Sequence, residues 1–207
     1  MLTVIQNDLE DEDFDAMTSK GHKIWFLHPE RTPIDLRDLK KASSNVCRYN
    51  GHCVWKLIQH LALCTELAEL ATRSSIYDGQ REYLIAQCAL HDIHEIYVGD
   101  VVSGLKKLLP QYKDIEILWE TRVLDYFGLD LPTGFTKGFV KEIDTRALCL
   151  EMTYLRHPGA SRVIARIGAS SLDEIQVLQR VCTMSYHQCW QLLMKSILNY
   201  RVANGEE

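Results

Sequence analysis

The residues in this chain best suited to chemistry begin with an adjacent pair, His91-Asp92, at the end of an apolar stretch with helical spacing (Leu84, Ile85, Cys88, Ala89). Two neighbouring side chains reach one ion most easily where a helix ends or distorts. Upstream, His60 interrupts the run Leu57-Ile58-Gln59-His60-Leu61, and a buried imidazole there needs a partner. Downstream, Asp144 lies between Ile143 and Ala147-Leu148 in another mostly apolar helix, where an unpaired carboxylate is costly to desolvate. His60, His91, Asp92 and Asp144 together make a mixed nitrogen and oxygen set drawn from three helices. That set suits a borderline divalent ion such as zinc, manganese, cobalt or iron, with open positions for water or phosphate. Taken singly, each has a plainer reading: a satisfied core histidine for His60, a salt-bridge partner of Arg146 or Arg48 for Asp144, and surface or capping chemistry for a His-Asp pair.

The elements that must position these groups are helices. Apolar residues recur at three-and-four spacing from Asp35, a candidate cap, to near Asn50-Gly51, and from Val54 to Ala71. A third helix runs from near Gly79 to about Ile93, and a short one covers Ser103 to Leu108 before a Pro110 stop. Further helices are expected over 112–127, closed by Gly128, and over about 136–156. A last long one starts near Asp173 and runs toward Tyr200. The expected fold is all-α: one helical domain over 35–203, preceded by an N-terminal arm, 1–34, that is mostly irregular and pinned by Ile24-Trp25-Phe26-Leu27. The acidic run from Asp8 to Asp15 reads as a solvated stretch of that arm. Trp55, Trp119 and Trp190 read as packing residues, and His94 offers no site pattern.

Composition narrows the function. The 207 residues are 46% hydrophobic, enough for one sizeable core. A formal charge of −5 and the lack of any basic run argue against a nucleic-acid polymer as partner. No apolar stretch is long enough to span a bilayer, and the acidic N-terminal sequence lacks a signal-peptide pattern. Seven cysteines, never spaced CxxC, read as reduced core thiols. The expected setting is therefore the cytoplasm, or a host cytoplasm for a phage-encoded chain.

The order H…HD…D formed by His60, His91-Asp92 and Asp144 resembles the defining signature of the HD superfamily of phosphohydrolases, over roughly residues 40–155. Within it the chain is most similar to bacterial 5′-deoxynucleotidases and phage-type dATP triphosphohydrolases, through Cys47-Arg48-Tyr49-Asn50-Gly51-His52, His91-Asp92-Ile93-His94-Glu95 and Gly99-Asp100. The resemblance implies a compact HD-type helical bundle with His60, His91, Asp92 and Asp144 as metal ligands, Glu95 and Asp100 as catalytic carboxylates, and Arg48 as a phosphate-binding residue. Two departures stand out: Gln59-His60-Leu61 replaces the frequent Glu-His-Ser, and Ser103-Gly104-Leu105-Lys106 replaces a commoner Ser/Thr-Pro-x-Lys.

The chemistry so implied is metal-assisted hydrolysis of a 2′-deoxynucleotide phosphate, either of a monophosphate or of dATP and its relatives to nucleoside and triphosphate. Glu95 or Asp100 would orient or deprotonate the water; as caps or solvated groups they would do neither. Arg48 and Lys106 would offset charge on the phosphoryl group, Tyr49 would stack on base or sugar, and His52 would contact phosphate. A phosphodiesterase of cyclic or signalling nucleotides and a non-catalytic nucleotide-binding module are the alternatives. The resemblance also implies a homo-oligomer, dimer or hexamer, with Val177, Val181, Met184, Leu192, Leu193 and Ile197 forming either its face or simply core.

Overall fold

The structure, a computed structural model, describes residues 14–205. The N-terminal arm is more ordered than expected: β1 (Ala16–Met17) pairs antiparallel with β2 (Lys23–Ile24), with Ala16 opposite Ile24. Ile24 and Trp25 are buried, and the Phe26 carbonyl accepts the Trp119 indole N–H at 3.2 Å, which pins the arm as its apolar run implied. Of the acidic run, Asp8 to Asp13 lie outside the described residues, while Asp15 accepts the Phe26 backbone N–H at 2.6 Å.

Helix α1 (Leu36–Ser43) opens on Asp35, whose carboxylate accepts the Arg37 N–H at 2.7 Å. It ends well before Asn50 because the hydroxyls of Ser43 and Ser44 turn back onto the Lys40 carbonyl at 3.2 and 2.8 Å. Cys47 and Lys56 then pair as an isolated antiparallel bridge, closing a loop that carries Arg48 and Tyr49. Helix α2 (Leu57–Ala71) starts after Val54, which is exposed; the Gln59 side chain accepts the Lys56 N–H at 3.0 Å and fixes the first turn.

Helices α3 (Arg81–Leu90), α4 (Glu95–Val98), α5 (Ser103–Lys106) and α6 (Pro110–Tyr126) follow. Pro110 opens α6 rather than ending a helix, since a first-turn residue needs no N–H partner. After α7 (Gly134–Tyr154) and α8 (Ala160–Ile167), the expected last helix is two, α9 (Leu172–Thr183) and α10 (Tyr186–Ala203). The cause is a second capping box. Ser185 accepts the Gln188 N–H at 3.2 Å while Gln188 Oε1 accepts the Ser185 N–H at 2.8 Å, and Ser171 with Glu174 does the same at α9.

This is an all-α architecture with α2 at its centre, wrapped by α3, α7, α9 and α10. Helix α2 is apolar nearly all round, and only a helix with neighbours on every side can bury such a surface. Leu57, Ile58, Leu61 and Leu63 are fully buried, each contributing about 1.5–3 kcal/mol of transfer free energy. Of the residues weighed as a subunit face or core, Val177, Val181, Leu193 and Ile197 are buried within this one chain, and Met184 and Leu192 are half-buried against its core. All seven cysteines are free. No helix among the described residues is long and apolar enough to cross a membrane.

Candidate metal centre and its cleft

The chain between α3 and α4 winds in tighter turns. Ile93 N–H donates to the Leu90 carbonyl and Glu95 N–H to the Asp92 carbonyl, both at 3.0 Å, so each bond spans three residues. This distortion turns adjacent His91 and Asp92 toward one point. Helix α2 brings His60 there and α7 brings Asp144. His60 Nε2 lies 3.2 Å from His91 Nε2, 3.5 Å from Asp92 Oδ2 and 3.6 Å from Asp144 Oδ1, and His91 Nε2 lies 3.3 Å from Asp92 Oδ2. One ligand atom from each of the four lies within 4.8 Å of the others, so the cluster could hold a metal ion.

The donor chemistry fits a divalent cation. His91 Nδ1 donates to the Cys88 carbonyl at 2.9 Å, and His60 Nδ1 donates to Glu151 Oε1 at 2.6 Å. With both Nδ1 atoms carrying hydrogen, the two Nε2 lone pairs face each other beside two carboxylate oxygens. A cation satisfies all four acceptors at once, and two carboxylates match its charge. Ligands at about 2.0–2.2 Å from one ion stand roughly 3.0–3.5 Å apart, the spacing seen here. The field points the same way: burial opposes charge on His91, but Asp92 beside it raises its pKa. Burial likewise opposes ionisation of Asp92, yet His91 and His60 hold its carboxyl well below the ordinary range. Asp144 Oδ2 is oriented by Lys141 Nζ at 2.6 Å.

Glu151, which sequence reasoning did not single out, organises one side of the centre. It is fully buried; its Oε2 accepts the Tyr49 hydroxyl at 3.0 Å and stands 3.5 Å from Arg48 Nε. Burial would raise its pKa, but His60 and Arg48 bring it below the ordinary value, so it is a carboxylate. Tyr49, Asn50 and Gly51 all have positive φ (57°, 52° and 77°), a conformation costing a non-glycine residue about 1–2 kcal/mol. The Tyr49–Glu151 bond holds that turn and so aims Arg48. The guanidinium Nη1 of Arg48 is 3.4 Å from Asp92 Oδ2 and 3.9 Å from Asp100 Oδ2.

Two cavities meet at the cluster, sharing Asp92, Lys106, Lys141 and Asp144 in their walls. The smaller, about 300 Å³, is lined also by Arg48, Tyr49, Glu95, Asp100, Val101, Val102, Ser103 and Leu148. The larger, about 490 Å³, adds His91, His94, Lys113, Glu116, Glu120 and Lys137. Burial, then Asp92 and Asp100, push the pKa of Glu95 well up; its Oε1 accepts from Lys106 Nζ at 3.3 Å, and its Oε2 has no hydrogen-bond partner among the described residues. Burial also raises Asp100, against the pull of Arg48. Lys106 stays charged because Glu95 and Glu116, the latter at 2.5 Å, outweigh its burial.

Arg48, Tyr49, Glu95, Asp100 and Lys106 therefore share a cavity with Asp92 and Asp144. His52 does not join them: it is exposed, after the turn at Tyr49–Gly51, and lines neither cavity. His94, given no role from sequence, is buried in the wall of the larger cavity, where burial takes its pKa down to about 4. Glu120 lines the same cavity, its pKa raised to about 7 by burial and then by Asp92. Trp55, Trp119 and Trp190 are buried packing residues.

No family model matches the chain. Its sequence is similar to Uncharacterized protein YfdR of Escherichia coli (strain K12), 27% identical over 114 residues that make up 54% of this chain and 57% of that protein. The match thus spans less than two thirds of the relative, whose name states no activity.

Proposed function

We propose that this protein is a metal-dependent phosphohydrolase of the HD type acting on 2′-deoxynucleotides. The observation that carries the reading is the convergence of His60, His91, Asp92 and Asp144 on one point, beside a cavity holding Arg48, Lys106, Glu95 and Asp100. The H…HD…D order and its neighbours Arg48 and Asp100 support the family and the sugar class.

His60, His91, Asp92 and Asp144 would hold a divalent ion, which supplies Lewis acidity toward a phosphoryl oxygen and a lower pKa for water. Arg48 binds the phosphate: its Nη1 contacts to Asp92 and Asp100 are long, and a phosphate oxygen offers a closer acceptor. Lys106 adds a second positive charge across the same cavity. Glu95, whose Oε2 has no partner among the described residues and whose burial favours proton uptake, takes a proton from the attacking water and passes it to the leaving oxygen; Asp100 orients that water. Tyr49, Val101, Val102 and Leu148 form the less polar wall against which the nucleoside lies, excluding water from it.

The test is to load the protein separately with Mn²⁺, Co²⁺, Zn²⁺ and Mg²⁺ and resolve products from deoxynucleoside mono-, di- and triphosphates and cyclic nucleotides, with Asp92→Ala as control. Phosphate from monophosphates defines a 5′-nucleotidase, and triphosphate from dATP or its relatives a triphosphohydrolase. Turnover of cyclic nucleotides alone supports a phosphodiesterase. Binding without turnover under every metal supports a nucleotide-binding module and overturns the proposal.

A further inference from the structure

Cys64 stands one helical turn beyond His60 on α2, fully buried, with its Sγ 3.7 Å from His60 Nε2. Its sulfur and one ring nitrogen each of His60 and His91 lie within 4.8 Å of one another, a set distinct from the one that joins both histidines to Asp92 and Asp144. The four-residue spacing is the cause, since residues i and i+4 share a helix face. With about 2.1 Å to nitrogen and 2.3 Å to sulfur, two ligands on a tetrahedral ion stand about 3.6 Å apart. A thiol hydrogen bond to His60 also has this length, but His60 Nε2 has one lone pair, and His91 Nε2, 3.2 Å away, crowds the same point. A cation serves both contacts; a single thiol proton serves one.

We propose that Cys64 forms with His60 and His91 a second, sulfur-containing ligand set, sharing both histidines with the four-residue centre, for a thiophilic ion such as Zn²⁺ or Co²⁺. On binding, the S–H bond breaks, its proton leaves to solvent, and the thiolate sulfur bonds to the ion. Thiolate donors favour zinc and cobalt over manganese and magnesium, so Cys64 biases metal choice, whereas Asp92 and Asp144 alone would accept the harder ions as well. The inference rests on the metal-centre reading and adds a donor outside the H…HD…D set.

The test is the absorption spectrum of the full chain titrated with Co²⁺. Wild type is expected to show visible ligand-field bands of bound cobalt together with a near-ultraviolet sulfur-to-cobalt charge-transfer band. Cys64→Ser, close in size and checked for folding by circular dichroism, is expected to keep the visible bands and lose the charge-transfer band; Cys64→Ala is a second variant for the same comparison. Cys88→Ala, which removes the buried thiol of α3 but leaves the carbonyl that holds His91, is expected to keep both. Zn²⁺ affinity of Cys64→Ser should fall by more than about tenfold, the scale set by loss of an outer partner alone, with Mn²⁺ affinity little changed. Visible bands without the charge-transfer band in wild type, or its survival in Cys64→Ser and Cys64→Ala, overturns the sulfur ligand and leaves the four-residue centre standing. No cobalt bands at all overturn both.

Discussion

Glu151 Oε1 lies 2.6 Å from His60 Nδ1, and solvent reaches neither side chain. Glu151 follows Asp144 by seven residues on α7, about two helical turns, so one helix face supplies both a candidate ligand and the group that orients another. A carboxylate on the far nitrogen fixes the ring and raises its basicity toward a metal.

Glu151→Gln should therefore lower divalent-metal affinity by about 10- to 100-fold, measured by competition with a chromogenic chelator. Glu151→Ala should in addition cost about 3–5 kcal/mol in urea unfolding, because it strands the buried Arg48 charge and leaves the His60 Nδ1–H and the Tyr49 hydroxyl without their acceptor. Unchanged metal affinity in Glu151→Gln would remove its positioning role.

Arg48→Ala should reduce kcat/KM for a deoxynucleotide by about 10²- to 10³-fold, and Arg48→Lys should not rescue it fully. Lysine keeps the charge but cannot address Asp92, Asp100 and Glu151 from one planar fork as Arg48 does. Steady-state kinetics on both variants check this, and full activity in Arg48→Lys would show that charge alone suffices.

Glu120 links stability to pH. Its folded pKa, about 7, lies above the ordinary glutamate value, so the stability tied to its proton is present at low pH and lost as pH rises through 7. Glu120→Gln should match wild type below about pH 4 and exceed it by about 1–3 kcal/mol above about pH 8. Urea unfolding across that range tests the sign; a constant difference would mean that Glu120 titrates normally.

Much of this site was legible because ligand residue types carry their own signal. A histidine inside Leu57–Leu61 and a His-Asp pair closing an apolar helix are conspicuous, and the order of His60, His91, Asp92 and Asp144 can be read directly. Glu151 was not, since one glutamate near a helix end usually faces water; the available signal was its spacing from Asp144, with Ala147 and Leu148 on the same face. Cys64 looked like any apolar residue of α2. Helix boundaries failed where side chains compete for backbone groups: Ser43 and Ser44 end α1, and Ser185 with Gln188 divides α9 from α10. That second break could have been read from the S-x-x-Q pattern.

Removing metal with a chelator should lower the unfolding temperature, and restoring an ion at about one hundred times its Kd should return about 2.7 kcal/mol. For a chain of this size that is a shift of roughly 5–10 °C, followed by calorimetry. An unfolding temperature indifferent to chelator and to added metal would argue that nothing binds between His60 and Asp144.

The most direct test of the whole account is a titration of metal-free protein with Mn²⁺ while release of phosphate or triphosphate from deoxynucleotides is followed. The account predicts no turnover without metal, a rise that saturates as the His60, His91, Asp92 and Asp144 cluster fills, and neither binding nor turnover in Asp92→Ala. Turnover that survives metal removal, or bound metal with no hydrolysis of any deoxynucleotide, would contradict it.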